Sequence, residues 1–384
     1  MTPVTSADDP SAHGSLRLRV MGVTVDSRMP DEDTRARLAH QWSRAVLAED
    51  AETGDVVEGP PAAAAKPDGL DRRDYYYTTQ ITLAGLQATT GERVNLHAGT
   101  VADDDGRVLV IVGPSGTGKT TATLALATRL HYMSDETASI TPDGVVHAHP
   151  KPLSIVIDAE DLRHKRQLSP DDLGLGSTPD TGTLHRIVLL HRGVPSPRGL
   201  QPLGTVDALM ELIEQSSSLG TLATPLPTLL AVADASGGVL CLEYDEITDH
   251  VDTLVHLLDE VVEPVDRSDE TTHGPRPVHH PGPQEELPNV EDGDTRVRRL
   301  SWTDALEIGP DVVVLAENRA VRLGELAATL WLHLAQPRPL DDLVAWAQEV
   351  HGSHPGATEI VNEAISALVR ERLVADPFDD MIGP

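Results

Sequence analysis

The fold is decided by Arg107–Thr128, RVLVIVGPSGTGKTTATLALAT, which joins a short apolar run to a glycine-rich loop and a helix-forming segment. The run Val108–Val112 is typical of a buried strand. The segment Thr121–Leu130 has the composition of a helix. Between them, Gly113–Thr120 fits the Walker A pattern G-x-x-x-x-G-K-[ST] in full. The sequence therefore predicts a phosphate-binding loop in the context of strand, loop and helix.

The loop contains the residue types that a nucleotide polyphosphate requires. Its three glycines lack a Cβ, so the backbone can turn several amides towards one anion. The start of the following helix adds partial positive charge. Lys119 would reach the β- and γ-phosphates, and the Thr120 hydroxyl would hold Mg²⁺. The predicted nucleotide-binding residues are Gly113, Pro114, Ser115, Gly116, Thr117, Gly118, Lys119, Thr120 and Thr121.

Polar residues on both sides of the loop are candidates for chemistry. His97 precedes the loop in Asn95–Thr100, and Asp135 and Glu136 follow it after about one helix. His97 could be a core histidine bonded to a backbone carbonyl, or a group that acts near the phosphates. In an extended segment adjacent side chains point to opposite faces, so one carboxylate would face the attacking hydroxyl and the other a metal ion.

This order of motifs resembles the HPr kinase-like family, which shares its core with phosphoenolpyruvate carboxykinase. The resemblance covers roughly Val94–Leu258. It implies an ATP- and Mg²⁺-dependent transfer of the γ-phosphate to a hydroxyl, chiefly serine, of a peptide or protein. By this resemblance Asp135 is the general base, with His97 beside it, and Glu136 joins Thr120 in binding Mg²⁺. The family usually has two aspartates here, so Glu136 departs from its pattern.

A second cluster follows in His147, His149 and Lys151, which would share one face of a strand. The two histidines could bind a metal ion. Alternatively, Lys151 faces a substrate phosphate or an acidic residue. Upstream, Tyr75–Thr90 could be a strand or a helix, and the resemblance favours a helix. The three tyrosines at its start could pack a domain seam or contact a ligand.

Composition restricts the classes of partner. The formal net charge of −31 argues against nucleic acid, whose phosphates the chain would repel. No run approaches the 18 apolar residues of a membrane span, and the polar, acidic N-terminus is not a signal peptide. The only cysteine, Cys241, excludes a disulfide framework within the chain. The sequence therefore predicts a cytoplasmic protein without a membrane partner. Only four lysines occur, at positions 66, 119, 151 and 165.

The rest of the chain predicts an α/β fold with several domains. Predicted strands lie at Leu16–Val25, His185–Leu190 and Gly238–Glu243, and predicted helices at Glu32–Ala48, Val206–Gln215, Leu222–Ala233 and Thr248–Val262. The predicted domains are an N-terminal α/β segment (1–93), a P-loop HPr kinase-like domain (94–262), a disordered, acidic, proline-rich linker (263–295) and a C-terminal domain (296–378).

The C-terminal domain is predicted to have an α+β fold. Short strands at Val297–Trp302, Ala305–Ile308, Val312–Leu315 and Ala320–Leu323 precede three helices and a closing strand, Arg372–Ala375. This order resembles the PqqD-like domain, a winged-helix module that binds leader peptides of ribosomally made natural products (RiPPs). The resemblance implies that residues 296–378 recruit such a peptide. Glu359, Glu363 and Glu371 make the third helix unsuited to DNA.

Two function hypotheses remain open at the level of sequence. The first is a serine kinase, a phosphotransferase acting on a peptide or protein; the family also includes phosphotransferases of small molecules. The second is a nucleotide-binding switch or peptide chaperone that delivers a precursor peptide to another enzyme without phosphorylating it. Some members of the HPr kinase-like family assemble as homo-oligomers, so a homo-oligomeric state is left open as well.

Overall fold

The computed structural model describes residues 14–48, 56–58, 69–157, 165–265, 274–278, 296–316 and 319–375. The chain divides into two compact units. The first contains residues 1–203, 215–218 and 231–265, and the second contains 204–214, 219–230 and 266–384. The sequence did not predict that 204–214 and 219–230 group with the C-terminal part. The predicted domain boundaries themselves stay a prediction.

The elements up to residue 265 alternate between strands and helices. In chain order they are β1 (Ser15–Val20), β2 (Val23–Arg28), α1 (Glu32–Gln41), β3 (Val56–Glu58), α2 (Leu70–Ala88), β4 (Val94–Ala102), β5 (Arg107–Val112), α3 (Lys119–Ala127), β6 (His131–Ser134), β7 (Thr137–Ile140), β8 (Val145–His147), β9 (Leu153–Val156), β10 (Lys165–Leu168), β11 (Thr181–Arg192), β12 (Gly199–Pro202), α4 (Thr205–Glu214), β13 (Ser216–Ser217), α5 (Pro225–Ala235), β14 (Val239–Tyr244) and α6 (Val251–His256).

A mixed central sheet organises the first unit. Its main order is β12-β14-β11-β5-β4-β7-β8, with β6 and β13 also paired to β4 and with β8 also paired to β11. Strands β5, β11 and β14 run parallel, whereas β4 is antiparallel to β5. Val108–Val112 of β5 are completely buried, as their apolar composition predicts. The fold of this unit is therefore α/β around a mixed sheet.

The first helix and strand of the chain differ from the prediction. The predicted strand Leu16–Val25 is a hairpin, because Met21 and Gly22 take positive φ values of 52° and 77° and reverse the chain. The predicted helix Glu32–Ala48 ends at Gln41. Val46, inside the predicted helix, instead forms a β-bridge with Leu18.

Two other helices also test the sequence-based assignments. The ambiguous segment at residues 75–90 lies mostly in α2, so the helix favoured by the family resemblance is confirmed. The predicted helix Thr248–Val262 is shorter, because a 3₁₀ turn at Ile247–His250 precedes α6, which ends at His256. No described helix is long and apolar enough to cross a membrane.

Helix α3 lies very close to strand β4. A Cβ at Gly99 of β4 would fall only 2.0 Å from the Thr123 hydroxyl oxygen of α3. Only glycine allows this approach without a shift of the helix or of the side chain. The helix that follows the glycine loop is thereby held against the strand that contains His97.

The second unit contains an antiparallel sheet and three consecutive helices. Its further elements are β15 (Arg276–Pro277), β16 (Asp304–Ile308), β17 (Asp311–Ala316), β18 (Arg319–Leu323), α7 (Glu325–His333), α8 (Leu340–His351) and α9 (Ala357–Arg370), and the sheet order is β15-β16-β17-β18. Trp331, Leu343 and Ile365, one from each helix, lie in one apolar core with Val314 of the sheet. The winged-helix assignment stays a prediction.

Three details of this unit differ from the sequence-based prediction. The predicted strands Val297–Trp302 and Arg372–Ala375 are reduced to isolated bridges, one between Arg299 and Val374. Strand β15 pairs Arg276 with Glu307 inside the segment predicted to be a disordered linker, most of which lies outside the described residues. Helix α4 packs against β18 and adds an Arg322–Asp207 ion pair of 2.9 Å.

Candidate functional site

A polar cavity of about 520 Å³ lies in the first unit beside the glycine loop. Three parts of the chain form its walls: the glycine loop with the start of α3, the bend between β6 and β7 with its neighbours, and the β9–β10 hairpin. The residues that line it are Tyr75, His97, Ser115, Gly116, Gly118, Lys119, Thr120, Thr121, Leu124, Asp135, Glu136, Lys151, Ser154, Ile155, Val156, Lys165 and Arg192. The cavity thus brings together residues that are far apart in sequence.

The glycine loop has a defined backbone shape. Gly116 and Gly118 take φ values of 90° and 95°, in the region that favours glycine. The Thr117 hydroxyl donates to the Pro114 carbonyl at 2.8 Å, and the Tyr244 hydroxyl donates to the Thr117 carbonyl. Helix α3 begins directly after the loop, so its first N–H groups, which have no partner within the helix, are available to an anion.

The Lys119 side chain is turned back onto its own loop. Its Nζ donates to the Gly113 carbonyl at 2.5 Å and to the Pro114 carbonyl at 3.0 Å. Burial lowers the pKa of Lys119 to about 8, although Asp135 and Glu136 act in the opposite direction. A bound phosphate would replace these neutral carbonyls with a stronger, charged acceptor.

Asp135 and Glu136 occupy a bend between β6 and β7 and converge on one ammonium group. Lys151 Nζ lies 3.0 Å from Asp135 Oδ1 and 3.1 Å from Glu136 Oε2. The expectation that the two carboxylates point to opposite faces is therefore wrong, because the alternation rule applies to extended backbone and not to a bend. The Asp135 side chain is only 3% exposed, whereas that of Glu136 is 43% exposed.

The charges of Lys151, Asp135 and Glu136 stabilise one another. Burial alone would lower the pKa of Lys151, but the two adjacent carboxylates outweigh it and hold that pKa above its ordinary value. The charge of Lys151 in turn lowers the pKa of Glu136. Of the two roles predicted for Lys151, the structure shows contact with acidic residues. The completely buried Tyr132 also contacts this group, because its hydroxyl donates to the Lys151 carbonyl at 3.1 Å.

His97 lies in β4, directly beside the acidic bend. The Ala98 amide donates to the Glu136 carbonyl at 3.0 Å, and the His97 amide donates to the Gln215 carbonyl at 2.7 Å. Burial and the nearby Lys119 lower the pKa of His97, which favours the neutral imidazole. The structure therefore places His97, Lys119 and Asp135 in the lining of one cavity, and their roles in catalysis stay a prediction.

The two other histidines of the second cluster do not reach the cavity. Strand β8 ends at His147, so His147, His149 and Lys151 do not share one face of a strand. His149 is completely buried and its Nε2 lies 3.0 Å from the Thr82 hydroxyl. Burial, followed by the charge of Lys151, lowers the pKa of His149 to about 3. It is a core histidine rather than a ligand.

The side chains at the cavity fit a magnesium ion bound together with phosphates. No group of three or more His, Cys, Asp or Glu side chains among the described residues could hold a metal ion by itself. Mg²⁺, however, is commonly held by one or two carboxylates plus substrate phosphates and water. The Thr120 hydroxyl and the half-exposed Glu136 carboxylate line the same cavity and are oxygen ligands of the required type.

Sequence reasoning missed Lys165 and Arg192, which also line the cavity. Lys165 begins β10, and Arg192 ends β11. The available signal was the rarity of lysine: three of the four lysines in the chain, Lys119, Lys151 and Lys165, line this one cavity. Nothing in the sequence indicated that β9 and β10 would form a wall of the cavity, because these strands are short and have no apolar periodicity.

Comparisons with known proteins give little beyond this geometry. No protein-family model and no curated protein matches the chain. Among solved structures it is similar to the Hpr(Ser) kinase/phosphatase from Coxiella burnetii, with a TM-score of 0.25 and 14% sequence identity. That match covers 42% of this chain and 93% of the other. A similarity this low carries no argument about the reaction, so the geometry of the cavity must carry it.

Proposed function

We propose that this chain is an ATP-dependent phosphotransferase that transfers the γ-phosphate to a hydroxyl group of a peptide or protein. The observation that carries the proposal is that the glycine loop with Lys119 and the buried Asp135 line the same cavity. A polyphosphate-binding loop alone would suit any nucleotide-binding protein. A buried carboxylate beside that loop adds the group that a hydroxyl acceptor requires.

The residues divide into two tasks. The loop amides, Lys119 and Thr120 would hold the triphosphate with its Mg²⁺, which neutralises charge on the phosphate oxygens. Asp135 would orient the acceptor hydroxyl and accept its proton as the new oxygen–phosphorus bond forms and the bond to the β-phosphate oxygen breaks. Lys151 would fix the Asp135 carboxylate in place, because its Nζ lies 3.0 Å from Oδ1. His97 would line the cavity beside these groups.

The test is phosphoryl transfer by the purified full-length chain. Mg-ATP and a panel of serine peptides are incubated with the protein, and the products are analysed by mass spectrometry. We expect a phosphopeptide from the wild type and none from Lys119→Ala. If the wild type binds nucleotide and peptide together but forms no phosphopeptide, the nucleotide switch becomes the better account and the phosphotransferase proposal fails.

We further propose that residues 296–378 recruit the peptide acceptor. The PqqD-like resemblance rests on four strands, three helices and a closing strand. The support is that three of those four strands are present and are followed by the three helices. Peptides that add a strand to a sheet edge protect the amides of the edge strand. Hydrogen exchange on the full chain, with and without an accepted peptide, should therefore show slower exchange in β18 and α9. Protection restricted to the cavity residues would contradict recruitment by this unit.

A further inference from the structure

The cationic side chains of the cavity differ in what they contact. Lys119 donates to two loop carbonyls, and Lys151 pairs with Asp135 and Glu136. Arg192 pairs with Glu246 at 3.2 Å, and its Nε donates to the Asp245 carbonyl. Each of these three groups therefore has an acceptor within the protein.

Lys165 is the exception among the described residues that line the cavity. No described carboxylate lies within ion-pair distance of its Nζ, which lies over the face of the Tyr75 ring, 6.0 Å from the ring centroid. The chain has 61 acidic residues against 30 lysines and arginines, so an ammonium without a carboxylate partner among the described residues is unusual here. A cation at a cavity wall that has no carboxylate partner in the described part of the chain favours an anionic ligand.

The cavity has a positive balance within an acidic protein. Among the described residues, four cationic side chains line it, against the two carboxylates Asp135 and Glu136. A chain with a net charge of −31 repels anions in general, so a local excess of positive charge selects where an anion can bind. The glycine loop with Lys119 accounts for the phosphates of the donor. Lys165 lies on a different wall, the β9–β10 hairpin, and is not part of that loop.

We propose that Lys165 binds an anionic group of the acceptor, so that the preferred substrate carries a carboxylate or phosphate close to its reacting hydroxyl. This inference rests on the proposed phosphotransferase function and makes Lys165 a specificity-determining residue of the same cavity. The Tyr75 ring limits where the ammonium can lie through a cation–π contact. An acceptor with a neutral group at this position would leave Lys165 without its partner.

The experiment compares three peptides that end in the same serine. One has a free C-terminal carboxylate, one has a C-terminal amide, and one has the amide with a phosphoserine directly before the acceptor. With the full-length wild type and saturating Mg-ATP, we expect the KM of at least one charged peptide to be about tenfold below that of the neutral amide. A preference for the first or the second charged peptide identifies carboxylate or phosphate as the recognised group.

Variants on one strand separate recognition from general charge. Lys165→Met should remove the preference for charged peptides, and Lys165→Arg should keep most of it. Arg166→Gln is the matched control, because Arg166 is the next residue of β10, does not line the cavity and pairs with Asp71 at 3.3 Å. That control should leave the preference and the affinity for a non-hydrolysable ATP analogue unchanged.

The outcomes distinguish the two proposals. Equal use of charged and neutral peptides by the wild type would overturn the role of Lys165 while supporting phosphoryl transfer. A preference that survives in Lys165→Met, with weaker binding of the ATP analogue, would show that Lys165 contacts the donor and would also overturn it. Transfer to none of the peptides would contradict the proposed function, and the inference about Lys165 would fall with it.

Discussion

Lys151 Nζ lies 3.0 Å from Asp135 Oδ1, and the two side chains are only 2% and 3% exposed. This buried pair ties the segment after β8 to the bend that precedes β7. The attraction offsets the cost of removing both charges from water only while both partners are present. The pair is therefore a strong constraint on the shape of the cavity. Replacing Lys151 alone leaves the buried Asp135 carboxylate unpaired, whereas Asp135→Asn leaves Lys151 its second carboxylate, Glu136.

Removal of Lys151 alone should strongly destabilise the protein. In Lys151→Met the buried Asp135 carboxylate loses its partner, and we expect the free energy of unfolding to fall by about 3–5 kcal/mol. The measurement is equilibrium denaturation of the protein, monitored by a spectroscopic probe placed in the first unit. The double variant Lys151→Met/Asp135→Asn should recover part of the loss, because it removes the unpaired charge. A loss within about 1 kcal/mol in the single variant would contradict this role.

His149 should make the protein less stable in acid. Its pKa is lowered from 6.5 to about 3 by burial, so the native imidazole stays neutral while the unfolded chain takes up a proton below about pH 6.5. Between these pH values the unfolded state binds more protons, and stability falls as pH falls, by up to about 1.4 kcal/mol per pH unit. His149→Gln should reduce the slope of unfolding free energy against pH. An unchanged slope would show that His149 is not held neutral.

Nucleotide binding should be coupled to proton uptake in mildly alkaline solution. The pKa of Lys119 is about 8 in the free protein because of burial, and contact with phosphate would raise it. At pH 8.5 the free ammonium is therefore partly deprotonated and the bound one is not. Titration calorimetry of Mg-bound ATP analogue in two buffers of different ionisation enthalpy should show net uptake at pH 8.5 and much less at pH 7. Equal proton uptake at pH 8.5 and pH 7 would contradict a pKa of about 8 for Lys119 in the free protein.

The contact between Gly99 and Thr123 can be tested by a double-mutant cycle. Gly99→Ala places a methyl group 2.0 Å from the Thr123 hydroxyl oxygen, so we expect a loss of about 1–3 kcal/mol in unfolding free energy. Thr123→Ala removes that hydroxyl, which has no hydrogen-bond partner among the described residues. In the Thr123→Ala background, Gly99→Ala should cost clearly less. If the losses in unfolding free energy from Gly99→Ala and Thr123→Ala are additive, α3 moves away from β4 to make room for the methyl group.

The parts of the fold that the sequence predicted are those with strong local signals. The apolar run of β5 and the glycine loop identified the strand, loop and start of α3 directly. The hairpin of β1 and β2 was missed because a non-glycine residue, Met21, takes positive φ in its turn. The end of α1 was misplaced, because Trp42 and Ala45, which follow Gln41, are buried in the apolar core from a non-helical segment.

In the candidate site, too, features with a local sequence signal were predicted and features that depend on distant contacts were not. The loop followed from its residue types and spacing, and the proximity of His97 and Asp135 was implied by the resemblance to the HPr kinase-like family. The convergence of Asp135 and Glu136 on Lys151 did not, because it depends on a bend and on a contact between distant segments. The position of Lys165 in the cavity wall depends on the β9–β10 hairpin, whose four-residue strands have no distinctive periodicity.

The most direct test of the central claim is the rate of phosphoryl transfer by Asp135→Asn under single-turnover conditions. A peptide that the wild type phosphorylates and saturating Mg-ATP are used, with Glu136→Gln and binding of an ATP analogue as controls. If Asp135 is the general base, its amide variant should lose at least about 10²-fold in the rate of transfer while nucleotide affinity changes little. Transfer by Asp135→Asn at the wild-type rate would contradict the account.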